Sequence, residues 1–280
     1  FGSKDFGVLL LAHGGSSVWN KSVLKLRDGL ASRFPIEVAF GMADARTIQK
    51  AVDRLAAARV KRVIAVPLFI SSHSEVMEQT KFVLGIRKEP SREFMEAPHA
   101  HRGHTMASRV ETKLSIVLTP ALDDHPIVAE ILLARAKEMS REPGKEAVVL
   151  VGHGPLADED DELWLRDMSS LGKTVRKSGG FASVHVVTLR DDSPEKKRKE
   201  AGRRIRGLVS KLSRDGRVLV VPHLIAPGGI ERHVLKTLDG LFYGWTGRTL
   251  LPDGRIAAWV ARGAEAAAAQ PDMRQYKDGS

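Results

Sequence analysis

The 280-residue chain contains no cysteine. Disulfides, thiolate metal sites, iron–sulfur clusters and a cysteine nucleophile are therefore excluded, and any metal must be met by His, Asp, Glu or Met. No apolar run approaches the roughly 20 residues of a membrane-spanning helix. The longest, such as Val8-Leu9-Leu10-Leu11-Ala12, have the length of a buried strand. There is no Gly-x-Gly-x-x-Gly and no Walker loop, so nothing supports a nucleotide cofactor. His13-Gly14-Gly15 looks like an esterase oxyanion segment, but no Gly-x-Ser-x-Gly elbow accompanies it, which argues against a serine hydrolase. Gly (25) and Pro (13) are ordinary and 42% of residues are hydrophobic, so fibrous and disordered classes are excluded as well.

What the chain has is basic charge and internal repetition. The net charge of +10 attracts polyanions, whether nucleic acid, a lipid surface or a small polycarboxylate. The segment from Val8 to His13-Gly14 is echoed by Val148 to His153-Gly154, and Arg62-Val63-Ile64-Ala65-Val66-Pro67 by Arg217-Val218-Leu219-Val220-Val221-Pro222. The offset is 140 between the histidines and 155 between the prolines, so the second half carries about fifteen extra residues between its motifs.

Periodicity predicts strands at 8–12, 36–40, 62–69 and 114–118, and helices over 20–34, 47–58 and 126–139. The second half repeats the pattern with strands at 148–151, 184–188 and 218–221, and a candidate fourth at 255–260. Alternating strands and helices imply parallel sheets with right-handed crossovers. The expected fold is α/β, two tandem doubly wound modules over residues 1–140 and 145–262, divided near the Pro-Gly at 143–144. A polar tail over 263–280 is expected to fray or end as a helix.

Ligands of open parallel sheets bind beyond the carboxyl ends of the strands. That rule selects His13, after the first strand, and Ser71-Ser72-His73, after the third. If those strands are neighbours, two imidazoles face one crevice, and neutral imidazole suits Co²⁺, Ni²⁺, Fe²⁺ and Zn²⁺ alike.

The succession of an apolar strand, His13-Gly14-Gly15-Ser16, Trp19-Asn20, Val38-Ala39-Phe40, Val66-Pro67-Leu68-Phe69-Ile70-Ser71-Ser72-His73 and Thr119-Pro120-Ala121-Leu122-Asp123-Asp124-His125-Pro126 resembles the sirohydrochlorin chelatases. These are class II cobalto- and ferrochelatases, and the duplicated tail suits their long, two-module form. The resemblance implies ATP-independent insertion of cobalt, iron or nickel, as substrate, into sirohydrochlorin or a related tetrapyrrole. His13 and His73 match the residues that hold the metal and take the pyrrole protons. Asp44 is the candidate helper carboxylate, with Glu75 and Glu78 as substitutes, because Met42 stands where relatives carry glutamate. Gly14, Gly15, Ser16, Ser71, Ser72, Gly228 and Gly229 are candidates for contact with the macrocycle, whose carboxylates give the basic charge a purpose. A non-catalytic metal or tetrapyrrole carrier on the same scaffold is the alternative.

Several features have plainer readings. His99, His101 and His104 form a possible metal-delivery segment but are expected to be a solvated insertion. In the second half Gly228 aligns with His73, so that half is expected to have lost the metal site, and Pro227-Gly228-Gly229 reads first as a turn. The acidic run at 158–162 reads as a solvated loop or helix start. The basic run at 195–214 reads as an exposed amphipathic helix rather than a nucleic-acid footprint, because it lacks stacking aromatics. The expected partners are a polycarboxylate tetrapyrrole and a divalent metal, with no nucleic acid and no membrane span. Internal duplication can replace a dimer, so a monomer is expected. The expected location is the cytoplasm, with export as the alternative because a leader before Phe1 would not be seen.

Overall fold

A computed structural model describes residues 5–97 and 108–277. The described elements run β1 (Gly7–Ala12), α1 (Ser17–Leu30), β2 (Ile36–Phe40), α2 (Ala45–Ala57), β3 (Arg62–Pro67), α3 (Glu75–Val83), α4 (Arg92–Glu96), β4 (Ser115–Leu118) and α5 (Pro126–Met139). They continue with β5 (Glu146–Gly152), α6 (Asp158–Gly179), β6 (Ser183–Thr188), α7 (Glu195–Asp215), β7 (Arg217–His223), α8 (Ile230–Thr237) and α9 (Gly254–Ala267). The strands form two sheets, ordered β2-β1-β3-β4 and β6-β5-β7, and every pairing is parallel. The expected α/β architecture is observed.

In each sheet the most apolar strand lies in the interior. Every residue of β1 and of β5 is buried, and apart from Glu146 at the start of β5, which pairs with Arg217, none of them is charged, as a parallel strand covered on both faces requires. In the first unit, Leu9 and Leu11 face α2, whose Ile48, Ala51, Val52 and Leu55 recur at helical spacing. In the second, Val149 and Val151 join Val218 and Val220 beneath Ile205 and Val209 of α7. Helix starts are capped by side chains: Ser16 for α1, Asp44 for α2, Ser74 for α3 and His125 for α5.

The two compact units differ from the contiguous halves expected at 1–140 and 145–262. Unit 1 takes the chain up to Ala121 together with Ile256 onward, and unit 2 takes Leu122–Arg255. Packing explains the difference. Helix α5 lies against α6 and β7, with its buried Arg135 donating to the Thr249 carbonyl and pairing with Asp253 at 3.3 Å. Helix α9 belongs to unit 1, where Glu265 pairs with Arg33 at 2.7 Å. The candidate strand at 255–260 is instead the start of α9, with Ile256, Trp259 and Val260 buried at helical spacing.

Of the two expectations for the tail, the helical one holds for its start, and the segment beyond is bound to the fold rather than frayed up to residue 277. Residues 263–267 finish α9, and the segment beyond binds the outer edge of β4. Met273 N–H donates to the Ile116 carbonyl at 2.9 Å, and Ile116 N–H donates to the Asp272 carboxylate at 3.0 Å. This covers backbone groups that an edge strand would otherwise leave open. Burial opposes charge on Asp272, but the amides of Ile116 and Arg274 and the Lys277 ammonium outweigh it and hold the carboxyl below its ordinary range.

A lowered folded-state value means that Asp272 stabilises unit 1 above the ordinary carboxylate pKa and loses that contribution as pH falls through the lowered one. Asp272→Ala is expected to cost about 1–3 kcal/mol at neutral pH, the penalty for orphaning two buried donors. Urea denaturation as a function of pH checks this: the difference from wild type should shrink on acidification, and an unchanged midpoint at neutral pH would contradict the account.

Candidate functional site

Strands β1 and β3 are neighbours, with Leu11 level with Pro67. Pro67 has no N–H, and the ladder is continued by Leu68 N–H, which donates to the Leu11 carbonyl at 2.8 Å. The carboxyl ends of the two strands are thus level and adjacent, and the turns carrying His13 and His73 leave the same edge of the sheet.

His13 is exposed at the end of β1, and its Nδ1 lies 2.7 Å from the Gly14 carbonyl oxygen. A carbonyl only accepts, so Nδ1 is the donor, and in the neutral imidazole Nε2 then keeps its lone pair for a metal or a proton. This is the arrangement by which backbone carbonyls orient metal-binding imidazoles. Gly14 adopts φ +78°, a left-handed conformation that lets the chain turn sharply after His13. The amide of Gly15 donates to Asn20 Oδ1 at 2.9 Å, and Ser16 Oγ accepts from Trp19 N–H at 3.3 Å. Gly14, Gly15 and Ser16 therefore build the turn beside His13. The role of Asn20 in holding that turn was not legible in the sequence.

His73 is half-buried in the connection from β3 to α3. Three serines hold this connection. Ser71 Oγ accepts from His73 N–H at 3.1 Å, Ser72 Oγ from Ala121 N–H at 2.9 Å, and Ser74 Oγ from Met77 N–H at 3.2 Å. Ser71 and Ser72, expected as substrate contacts, position the loop. Ser74 was overlooked, although a serine directly before a helical run is a recognisable cap.

The candidate carboxylates are placed less favourably. Asp44 is buried and caps α2, accepting from Arg46 N–H at 2.9 Å, with the Arg46 guanidinium 3.6 Å away. Glu78 is paired with Lys81 and with Arg87 at 2.6 Å. Glu75 is buried in the first turn of α3. Met42 is half-buried and packs on the hydrophobic core of unit 1. Among the described residues no three His, Asp or Glu side chains gather to hold a metal. His99, His101 and His104 lie outside the described residues.

The corresponding edge of the second sheet is chemically different. His153 is half-buried and its Nε2 lies 3.1 Å from an Asp192 oxygen. Burial works against its protonation, but Asp192, Asp191 and the Gly154 backbone prevail and raise its pKa. His233 pairs with Asp191 at 2.8 Å. His223, at the end of β7, is buried with neither ring nitrogen bonded, and burial pushes its pKa down to about 4. Gly229, at φ +127°, opens α8, and the amides of Gly228 and Gly229 donate to the Glu231 carboxylate at 3.2 and 2.9 Å. Glu231 thus occupies the two amides expected to approach a ligand, leaving the turn as their evident role. The acidic run opens α6, where Asp158 pairs with Arg190 and Lys197, and buried Asp161 with Arg190.

The succession of level strand ends and fixed histidine turns in unit 1 coincides with a known family pattern: the CbiX family model matches residues 7–139. Over residues 7–139 the chain is similar to the CbiX, or sirohydrochlorin chelatase, family. Among solved structures, SirB from Bacillus subtilis, determined with Fe3+, aligns over 96% of this chain and 99% of its own with TM-score 0.65 at 16% identity. DR2241 from Deinococcus radiodurans aligns over 98% of this chain with TM-score 0.56 at 18% identity, but the chain spans only 57% of that protein. DR2241 is described as multi-domain, similar in structure to chelatases and carrying two additional novel domains. These likenesses show a shared fold. No curated protein matches the sequence. At the level of reaction class, the CbiX match supports insertion of a metal into a tetrapyrrole. Among the described residues no helix is long and apolar enough to cross a membrane.

The two inner-edge histidines of unit 2 respond oppositely to pH. His153, with its raised value, contributes stability below the ordinary imidazole pKa and loses it as pH rises through the raised one. His223, with its lowered value, costs stability as pH falls from the ordinary imidazole pKa towards about 4. Asp192→Asn should lower the His153 pKa read by NMR titration, and an unmoved titration would show that the pair does not form. His223→Leu, which places the residue found at the equivalent Leu68, should remove part of the acid-side loss in thermal melts.

Proposed function

We propose that the chain inserts a divalent metal, cobalt, iron or nickel, into sirohydrochlorin or a related polycarboxylate tetrapyrrole without ATP, using His13 and His73. The observation that carries this reading is His13 at the end of β1, its Nδ1 2.7 Å from the Gly14 carbonyl and its Nε2 on the other side of the ring, on the edge shared with the His73 turn. Metallation must remove two N–H protons from the macrocycle while a metal enters from one face. An imidazole can donate its lone pair to the metal or accept a pyrrole proton. Holding metal and base beside the ring turns encounters in solution into a local transfer. The net charge of +10 favours approach of a substrate that carries many carboxylates.

A second reading, a carrier that binds without turnover, is favoured by the state of the carboxylates. Met42 cannot accept a proton, Asp44 is engaged as a cap, and Glu78 is neutralised by Lys81 and Arg87. The chelatase reading then leaves proton removal to the imidazoles, with buried Glu75 as the nearest substitute in sequence.

Anaerobic absorbance spectroscopy of sirohydrochlorin with Co²⁺, Fe²⁺ or Ni²⁺ tests both. The chelatase reading expects accelerated metallation over several turnovers, lost by a factor of about 100 or more in His13→Ala or His73→Ala with the circular dichroism spectrum unchanged. Retained metallation in both variants would sink it. A spectral change that saturates at one equivalent, with no acceleration, selects the carrier.

A further inference from the structure

The basic charge is not spread evenly. Helix α7 alone carries nine Lys and Arg against three Asp and Glu, a net +6 of the chain's +10. Its apolar side, Ala201, Ile205 and Val209, is buried in the core of unit 2, so the helix turns its cations to solvent over about 31 Å. Three of these cations have local duties. Lys197 pairs with Asp158, Lys199 with Glu195, and Arg206 donates to the Thr237 and Asp239 carbonyls at the end of α8. The other six, Lys196, Arg198, Arg203, Arg204, Lys211 and Arg214, are exposed and make no ion pair among the described residues.

The Arg206 bonds place this face beside the turn that follows α8, and that turn presents an aromatic ring. Phe242 is 92% exposed, while its neighbours Leu241 and Tyr243 pack against the core on either side of it. Gly244 fastens the end of the turn to β7, its N–H donating to Val218 at 2.7 Å and its carbonyl accepting from Val220 at 2.9 Å. The phenyl ring is thus held outward by a backbone anchored on both sides. Leu235 of α8, 41% exposed, adds a second apolar group, and Arg232 and Lys236 on the same helix are exposed cations.

We propose that the solvent face of α7, with Phe242 as an apolar wedge, docks on an anionic phospholipid surface. The chemistry is complementary in two ways. Unpaired Lys and Arg gain from a negatively charged headgroup layer. An exposed phenyl ring gains by entering the boundary between headgroups and acyl chains, where aromatic residues of interfacial proteins reside. Duplex nucleic acid would also attract the cations, but it takes up a lone ring only by unstacking a base step, which a headgroup layer does not demand, and α7 has no aromatic residue to stack on bases. The docking requires no insertion of a helix, because α7 has already spent its apolar face on the core.

The test is vesicle co-sedimentation of the full chain with phosphatidylglycerol–phosphatidylcholine vesicles, with pure phosphatidylcholine vesicles and with duplex DNA as competitor. The expected result is sedimentation with the anionic vesicles only, weakened at high salt. Phe242→Ser should lower the partition coefficient roughly tenfold, and the pair Arg203→Glu with Arg204→Glu by more, with circular dichroism confirming folded protein. Three outcomes overturn the proposal: no sedimentation with anionic vesicles at low salt, binding that ignores Phe242, or stripping from vesicles by stoichiometric duplex DNA. Both altered regions lie outside the His13 and His73 turns, so metal insertion should be unaffected in every variant.

Discussion

All strands of a sheet pointing one way is the constraint on which everything else rests. A parallel strand cannot return through a tight turn, so each must be followed by a crossover, and every crossover leaves from the same edge. Level ends of β1 and β3 bring the His13 and His73 turns to one edge of unit 1, although the two residues are 60 positions apart. The serines at 71, 72 and 74, Asn20 and the left-handed Gly14 then hold the departing backbone in place. The reactive groups come from loops, and their precision comes from the sheet beneath them.

Much of this was legible because parallel strands leave strong marks. The fully apolar runs of β1 and β5, each ending in His-Gly, identify the inner strands and the repeat, and strand ends then point to His13. What was not legible depends on contacts distant in sequence. Arg33 meets Glu265 across 232 positions, and no local pattern announces that the last helix belongs with the first strands. The start of α9 was taken for a strand because Ile256, Trp259 and Val260 crowd a short window; only extension to Ala264 and Ala267 exposes the helical period. Asp44 illustrates a different limit. A carboxylate two residues beyond an aligned position looks like a shifted catalytic group, and only the bond from Arg46 N–H shows that it caps a helix.

The two halves share a backbone plan and differ in electrostatics. His13 lies in an exposed turn with no partner for its Nε2 among the described residues, whereas the equivalent His153 is held against Asp192. Leu68 in the first half becomes His223 in the second, buried and neutral. Around the strand ends of unit 2 the remaining charges are satisfied internally: Asp191 by His233, Asp158 by Arg190 and Lys197, and the amides of Gly228 and Gly229 by Glu231. Apart from the buried His223 ring, the polar groups of this duplicated edge answer one another, and its free charge lies instead on the outer helix α7.

The division of the chain between units also has a temporal side. Unit 2 is a single uninterrupted stretch, Leu122–Arg255, while unit 1 is assembled from the stretch before it and the stretch after. On a ribosome, the strands that carry His13 and His73 are made first, yet α9 and the segment that covers β4 emerge only after all of unit 2 has been synthesised. The outer strand of unit 1 can therefore gain its cover only after the whole of unit 2 has been made.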